Sequence, residues 1–132
     1  MSSRLPVLLV VLLLGCEAGQ EPNPCGSERV TLTASVGTTP TFTWAPACGV
    51  AVISVVEAQP AGPAVWHVET ADNRNTIASD VRYGQRPGGT SVRAGPVPLV
   101  AGRAYSILLL VAEPLSDGTI GISGIGDLTF TP

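Results

Sequence analysis

Apolar and polar positions alternate with a period of two in two runs early in this chain, the pattern of half-buried β-strands. Val30-Thr31-Leu32-Thr33-Ala34-Ser35-Val36 alternates without a break, and Thr41-Phe42-Thr43-Trp44 does the same beyond the turn Gly37-Thr38-Thr39-Pro40. Val50 to Glu57 is almost continuously apolar, Ala64 to Thr70 carries Trp66, and Asp80 to Tyr83 leads into the loop Gly84-Gln85-Arg86-Pro87-Gly88-Gly89. Tyr105 to Val111 forms a further run. Thr119 to Ser123 and Asp127 to Thr131 predict a closing strand interrupted at Gly124 and Gly126, where a bulge is expected. No long window has helical periodicity, and 15 Gly with 12 Pro supply many turns. The pattern predicts an all-β domain, a two-layer antiparallel sandwich of about seven strands.

One apolar run is of another kind. Leu5 through Leu14 follows Arg4 and closes on Leu13-Leu14-Gly15-Cys16. Spanning a bilayer takes ~20 apolar residues, twice this length, whereas a signal-peptide core needs only ~7–15. An ordinary secretory signal would place a small residue where Leu13 stands. The segment resembles the lipobox of bacterial lipoprotein signal peptides. That resemblance implies cleavage after residue 15, a diacylglyceryl group on the Cys16 sulfur, and attachment to a membrane of the bacterial envelope, made stable by more than one acyl chain. Glu17 rather than Asp follows the cysteine, which in enteric-type lipoproteins goes with the outer membrane. The chain then divides into residues 1–15 as signal peptide, 16–27 as lipidated N-terminus and flexible tether, and 28–132 as the sandwich. A tether of about ten residues reaches at most ~35 Å.

All seven cationic residues are arginine, and six remain after loss of Arg4 against ten acids, leaving a mature charge near −4. No basic field exists to attract nucleic acid. With Cys16 taken by lipid outside the cytoplasm, Cys25 and Cys48 are left to form a disulfide. If the first two runs make a hairpin centred near Gly37, the two cysteines face each other at its open end. A single histidine in the chain supplies no zinc-type ligand set, and neither metal nor cofactor is expected.

Pro98-Leu99-Val100-Ala101-Gly102-Arg103-Ala104-Tyr105-Ser106-Ile107 resembles the leucine, turn and tyrosine sequence that opens the sixth strand of fibronectin type III and related immunoglobulin-like sandwiches. The resemblance implies that Tyr105 forms a tyrosine corner, its hydroxyl bonded to backbone a few residues upstream, with Leu99 as its apolar companion. It also implies that Trp44 is a core residue of the second strand. Ala101, where that family usually has proline, and the glycine-broken last strand depart from its pattern. The sandwich hosts many functions and implies none by itself.

Chemistry-bearing residues are sparse. His67 and Glu69 share a strand face, but no nucleophile or second base lies at motif spacing, which favours a surface pair over an acid–base couple. Trp66, with His67, Arg82 and Arg86, is the candidate ligand contact for a carbohydrate or small anion, and Arg93 flanks the same loop, although a large aromatic more often packs on the core and loop arginines are more often simply solvated. Along Tyr105 to Val111 the inward set leaves Leu108 and Leu110 outside. The neighbouring 50–57 run is apolar on both faces, with Ile53 and Val55 on one and Val52 and Val56 on the other. Ile53, Val55, Leu108 and Leu110 are therefore the candidate interface, since contiguous exposed apolar area marks contact surfaces. The sequence points to a non-enzymatic structural or protein-interaction module, held to the membrane and meeting an envelope protein. A carbohydrate- or small-ligand-binding module is the alternative.

Overall fold

A computed structural model describes residues 20–60 and 62–132. Those residues contain no helix; the strands are β1 (Thr31–Ala34), β2 (Thr41–Ala45), β3 (Val52–Glu57), β4 (Ala64–Thr70), β5 (Val81–Arg82), β6 (Thr90–Ala94), β7 (Tyr105–Pro114) and β8 (Ile120–Phe130). They build two antiparallel sheets, β1-β2-β5 and β6-β4-β3-β7-β8. The fold is a two-layer β-sandwich.

Alternation decides which side chains meet between the layers. Leu32, Phe42 and Trp44 from the smaller sheet close on Ile53, Val55, Trp66, Val68, Ile107, Leu109 and Val111 from the larger. Phe42 is the joint: its ring stacks on Trp66 of β4 at 6.4 Å between centroids and meets the edge of Phe130 on β8 at 5.3 Å. Trp66 also packs on Tyr83 at 5.2 Å. The Trp66 indole N–H is buried without a partner, whereas that of Trp44 donates to the Cys48 carbonyl at 2.8 Å.

Two elements differ from the sequence pattern. β6 was not anticipated, because Thr90-Ser91-Val92-Arg93-Ala94 has too little apolar content to stand out from its loop, and only pairing with β4 makes it a strand. The closing segment is one continuous strand rather than two pieces: its register steps from Leu109↔Gly126 to Leu110↔Gly124, leaving Ile125 as the extra residue. This bulge turns Ile125 into the core and aims its carbonyl sideways, where the Val30 N–H donates to it at 2.9 Å.

Cys25 and Cys48 form a disulfide, with Cα atoms 4.8 Å apart. The route to it is not the hairpin extension expected from the spacing. The β1–β2 register pairs Thr31 with Ala45, and carrying it outward would not oppose the two cysteines. Instead Pro24 pairs in parallel with Gly49: the Gly49 N–H donates to the Asn23 carbonyl at 2.7 Å, and the Cys25 N–H donates to the Gly49 carbonyl at 2.8 Å. Glu21 reaches Arg74 at 2.7 Å. Residues from about Glu21 onward are thus part of the folded body, a correction to the flexible tether read for 16–27, because backbone hydrogen bonds and the disulfide both hold this segment down.

A bridge closing a loop of this length stabilises by about 3 kcal/mol on the chain-entropy model. Cys25→Ser with Cys48→Ser should lower unfolding stability by about that amount in urea titrations, and added reductant should then have no further effect.

Candidate functional site

The outer face of the larger sheet gathers His67, Glu69, Leu108 and Leu110. The register sets His67 beside Ser54, Ser54 beside Leu108, and Leu108 beside Asp127, a single row across four strands. The next row runs Glu69, Val52, Leu110, Gly124, and beyond it Ala112 faces Ile122. Polar residues over β4 and an apolar patch of Leu108, Leu110 and Ile122 over β7 and β8, bordered by Asp127, therefore meet along β3.

The polar part is a ladder of contacts. The Ser54 hydroxyl lies 3.3 Å from His67 Nδ1, and His67 Nε2 lies 3.4 Å from Glu69 Oε2. Arg93 donates through Nε to Glu69 Oε1. Its reach comes from a second bulge: His67 pairs with Ala94 and Val68 with Val92, so Arg93 is the unpaired residue. The Arg93 hydrogen bond and charge, helped by His67, hold the Glu69 carboxyl below its usual range against the opposing effect of burial. Ser54 was missed in the sequence because it becomes a neighbour of His67 only through the β3–β4 register. Serine, histidine and glutamate now stand in line, but both contacts are longer than the 2.6–3.2 Å of a working nucleophile–base pair. The distances suit a cross-strand polar ladder on a half-exposed sheet.

The apolar patch is built by glycine. Gly124 lies between the Leu108 and Leu110 side chains, whose methyls are 3.6 and 3.8 Å from where a Cβ would stand. Leu110 packs with Ala51, Val52 and Ala112 in a small cluster separate from the main core, and Leu108 is 39% exposed. Of the four residues expected to form this surface, Ile53 and Val55 do not belong to it. Both are fully buried between the sheets, and the β3 residues in the outer rows are Val52, Ser54 and Val56. The pleat forces the choice: Ile53 opposes Leu109 and Val55 opposes Ile107, which are core residues.

The expected ligand contacts do not converge. Trp66 is fully buried and faces the core, the opposite side of β4 from His67, so its ring cannot stack on a sugar. Arg82 lies on β5 in the other sheet, and Arg86 donates through Nε to the Thr90 carbonyl at 3.1 Å. A recess of about 290 Å³ at the far end is lined by Thr38, Tyr83, Pro96, Pro98 and Leu99 among others, and by none of those four residues. Tyr105 is buried, its hydroxyl accepting from the Val100 N–H at 2.9 Å, and Leu99 is buried beside the same turn. Cys16, the expected lipid attachment point, lies outside the described residues.

Comparison with protein-family models, curated proteins and solved structures found no match to this chain.

Burial pushes the Tyr83 phenol up to about 12, with the nearby Tyr105 adding to the shift. The unfolded chain releases this proton near pH ~10 while the folded chain keeps it, so its contribution to stability is complete below that pH and lost as pH rises toward about 12. Alkaline unfolding followed by phenolate absorbance should steepen in that window, and Tyr83→Phe should flatten it.

Proposed function

We propose that this chain is a bacterial envelope lipoprotein, anchored through lipid on Cys16, whose β-sandwich of fibronectin type III or immunoglobulin-like kind serves as a structural or protein-interaction module. The observation that carries the interaction role is the outer face of the larger sheet, where Leu108, Leu110 and Ile122 stand in positions that a two-layer sandwich normally gives to polar side chains. An apolar stripe of this kind beside a polar ladder has the make-up of a contact surface, with a dry centre and a charged rim. The anchoring role rests on the Leu13-Leu14-Gly15-Cys16 sequence closing a short apolar run, and the Cys25–Cys48 disulfide is in keeping with an oxidising compartment. Glu17 beside the lipidated residue favours the outer membrane in a host with two membranes. The carbohydrate-binding alternative loses its main support with the burial of Trp66.

Two substitutions separate the parts of this proposal. Cys16→Ser should abolish incorporation of labelled palmitate and release the protein from the membrane fraction. Leu108→Asp, at a partly exposed site, should change stability by no more than about 0.5 kcal/mol and yet remove the main crosslinked product in intact cells. Leu110→Asp should cost more, about 1–3 kcal/mol, because it puts a carboxylate into the Val52 and Ala112 cluster. An unchanged crosslinking pattern in the Leu108 variant would remove the case for this face.

A further inference from the structure

The N-terminal segment and the β7–β8 hairpin leave the sandwich at the same end, and a continuous set of contacts joins them. Glu21 pairs with Arg74. The next residue, Asn75, gives its side chain to β7, donating to the Ala112 carbonyl at 2.9 Å and accepting from the Ala112 N–H at 2.8 Å. Pro22 and Asn75 both lie against Gly49, where a Cβ would stand 2.0 Å from the Asn75 carbonyl oxygen, so only glycine admits this closure. Ala112 in turn faces Ile122 on β8.

Beyond this point the hairpin is alone. β3 makes its last pairing to β7 at Val52↔Leu110, while β7 and β8 stay paired as far as Pro114↔Ile120. The turn closes with the Leu115 N–H donating to the Thr119 carbonyl and the Gly118 N–H to the Leu115 carbonyl, at 2.8 and 3.0 Å. From Ala112 to Leu115 the hairpin projects ~10 Å at strand rise. It carries Leu115, Ile120 and Ile122, which are 48%, 50% and 49% exposed.

These side chains lie on both faces of the hairpin. Ile120 and Ile122 oppose Pro114 and Ala112 on the outer face, while Leu115 lies against Gly121, whose Cβ position is 3.0 Å from a Leu115 methyl. Behind Leu115 the inner face is polar, with Glu113 accepting from the Ser123 hydroxyl at 3.2 Å, so the apolar side chains gather toward the projecting end, an arrangement suited to the shallow, partly polar edge of a bilayer. Asp117 at its apex accepts from the Thr119 N–H and hydroxyl and is fully exposed, which limits entry to headgroup depth.

Chain length supplies the remaining constraint. Four residue steps separate Cys16 from Gln20, a reach of at most ~14 Å. Lipid on Cys16 therefore holds this end of the sandwich within about the distance the hairpin projects. We propose that the projecting end of the β7–β8 hairpin, through Leu115, Ile120 and Ile122, rests in the headgroup layer of the bilayer that holds Cys16, giving the domain a second membrane contact and a fixed orientation. This proposal rests on the reading of Cys16 as the lipid attachment point.

The test uses full-length lipidated protein in phosphatidylcholine vesicles with acyl chains brominated near the glycerol end. Ile120→Trp and, separately, Leu115→Trp report from the hairpin, and Val36→Trp, at a position 97% exposed at the opposite end, is the control. Trp44 and Trp66 are buried and supply a constant background. The hairpin reporters should lose about half their added emission to bromine while the Val36→Trp reporter loses none. If the protein floats with the vesicles but neither hairpin reporter is quenched, the hairpin contact is wrong and the Cys16 reading stands. If it does not float, both fall. Hairpin emission that shifts only in native membranes, and not in pure lipid, would also overturn the proposal by naming a protein as the occupant.

Discussion

The packing of Phe42 between the two sheets is the constraint on which the rest of this molecule depends. It is the point where β2 of the smaller sheet meets β4 through Trp66 and β8 through Phe130. Truncating such a ring typically costs about 3–5 kcal/mol, as much as or more than the disulfide contributes. The layers cannot slide without breaking this contact, so the registers of β3, β4 and β7 behind it are fixed, and with them the side chains left on the outer face.

That outer face is the other side of the same packing decision. Ile53, Val55, Ile107 and Leu109 are drawn inward, which leaves Ser54, Val52, Leu108 and Leu110 outward in the rows that hold His67 and Glu69. Polar residues over β4 satisfy one another, while the apolar residues over β7 and β8 have no comparable cover among the described residues. The proposed interaction role grows from this asymmetry. The two ends of the sandwich are unlike as well: the docked N-terminal segment, the disulfide and the free-standing hairpin share one end, and the recess beside Tyr83 lies at the other.

Bulges do much of the positioning. Arg93 reaches Glu69 because it is the extra residue opposite His67 and Val68, and Ile125 fills the core because it is the extra residue opposite Leu109 and Leu110. Both changes cost a ladder position and gain a side chain aimed where the regular pleat would not send it. Glycines at 124 and 126 mark the second bulge in the sequence. Nothing comparable marks the first, and β6 itself was not legible there.

The sequence by itself determined the strands of strong alternation, the all-β class, the pairing of Cys25 with Cys48 and the outward placement of Leu108 and Leu110. The strands and their outward residues follow from a period of two that holds whatever they pair with, and the disulfide from the two cysteines left once Cys16 is read as the lipid attachment point. It did not determine that Ile53 and Val55 face inward, that Ser54 stands against His67, or that the segment read as a tether is docked from Glu21 onward. A run apolar on both faces, such as 50–57, has no preferred side until a neighbour supplies one. Tertiary pairing supplied it: Val55 lies opposite Ile107 and Ile53 opposite Leu109, on the face that packs against Phe42 of the second sheet.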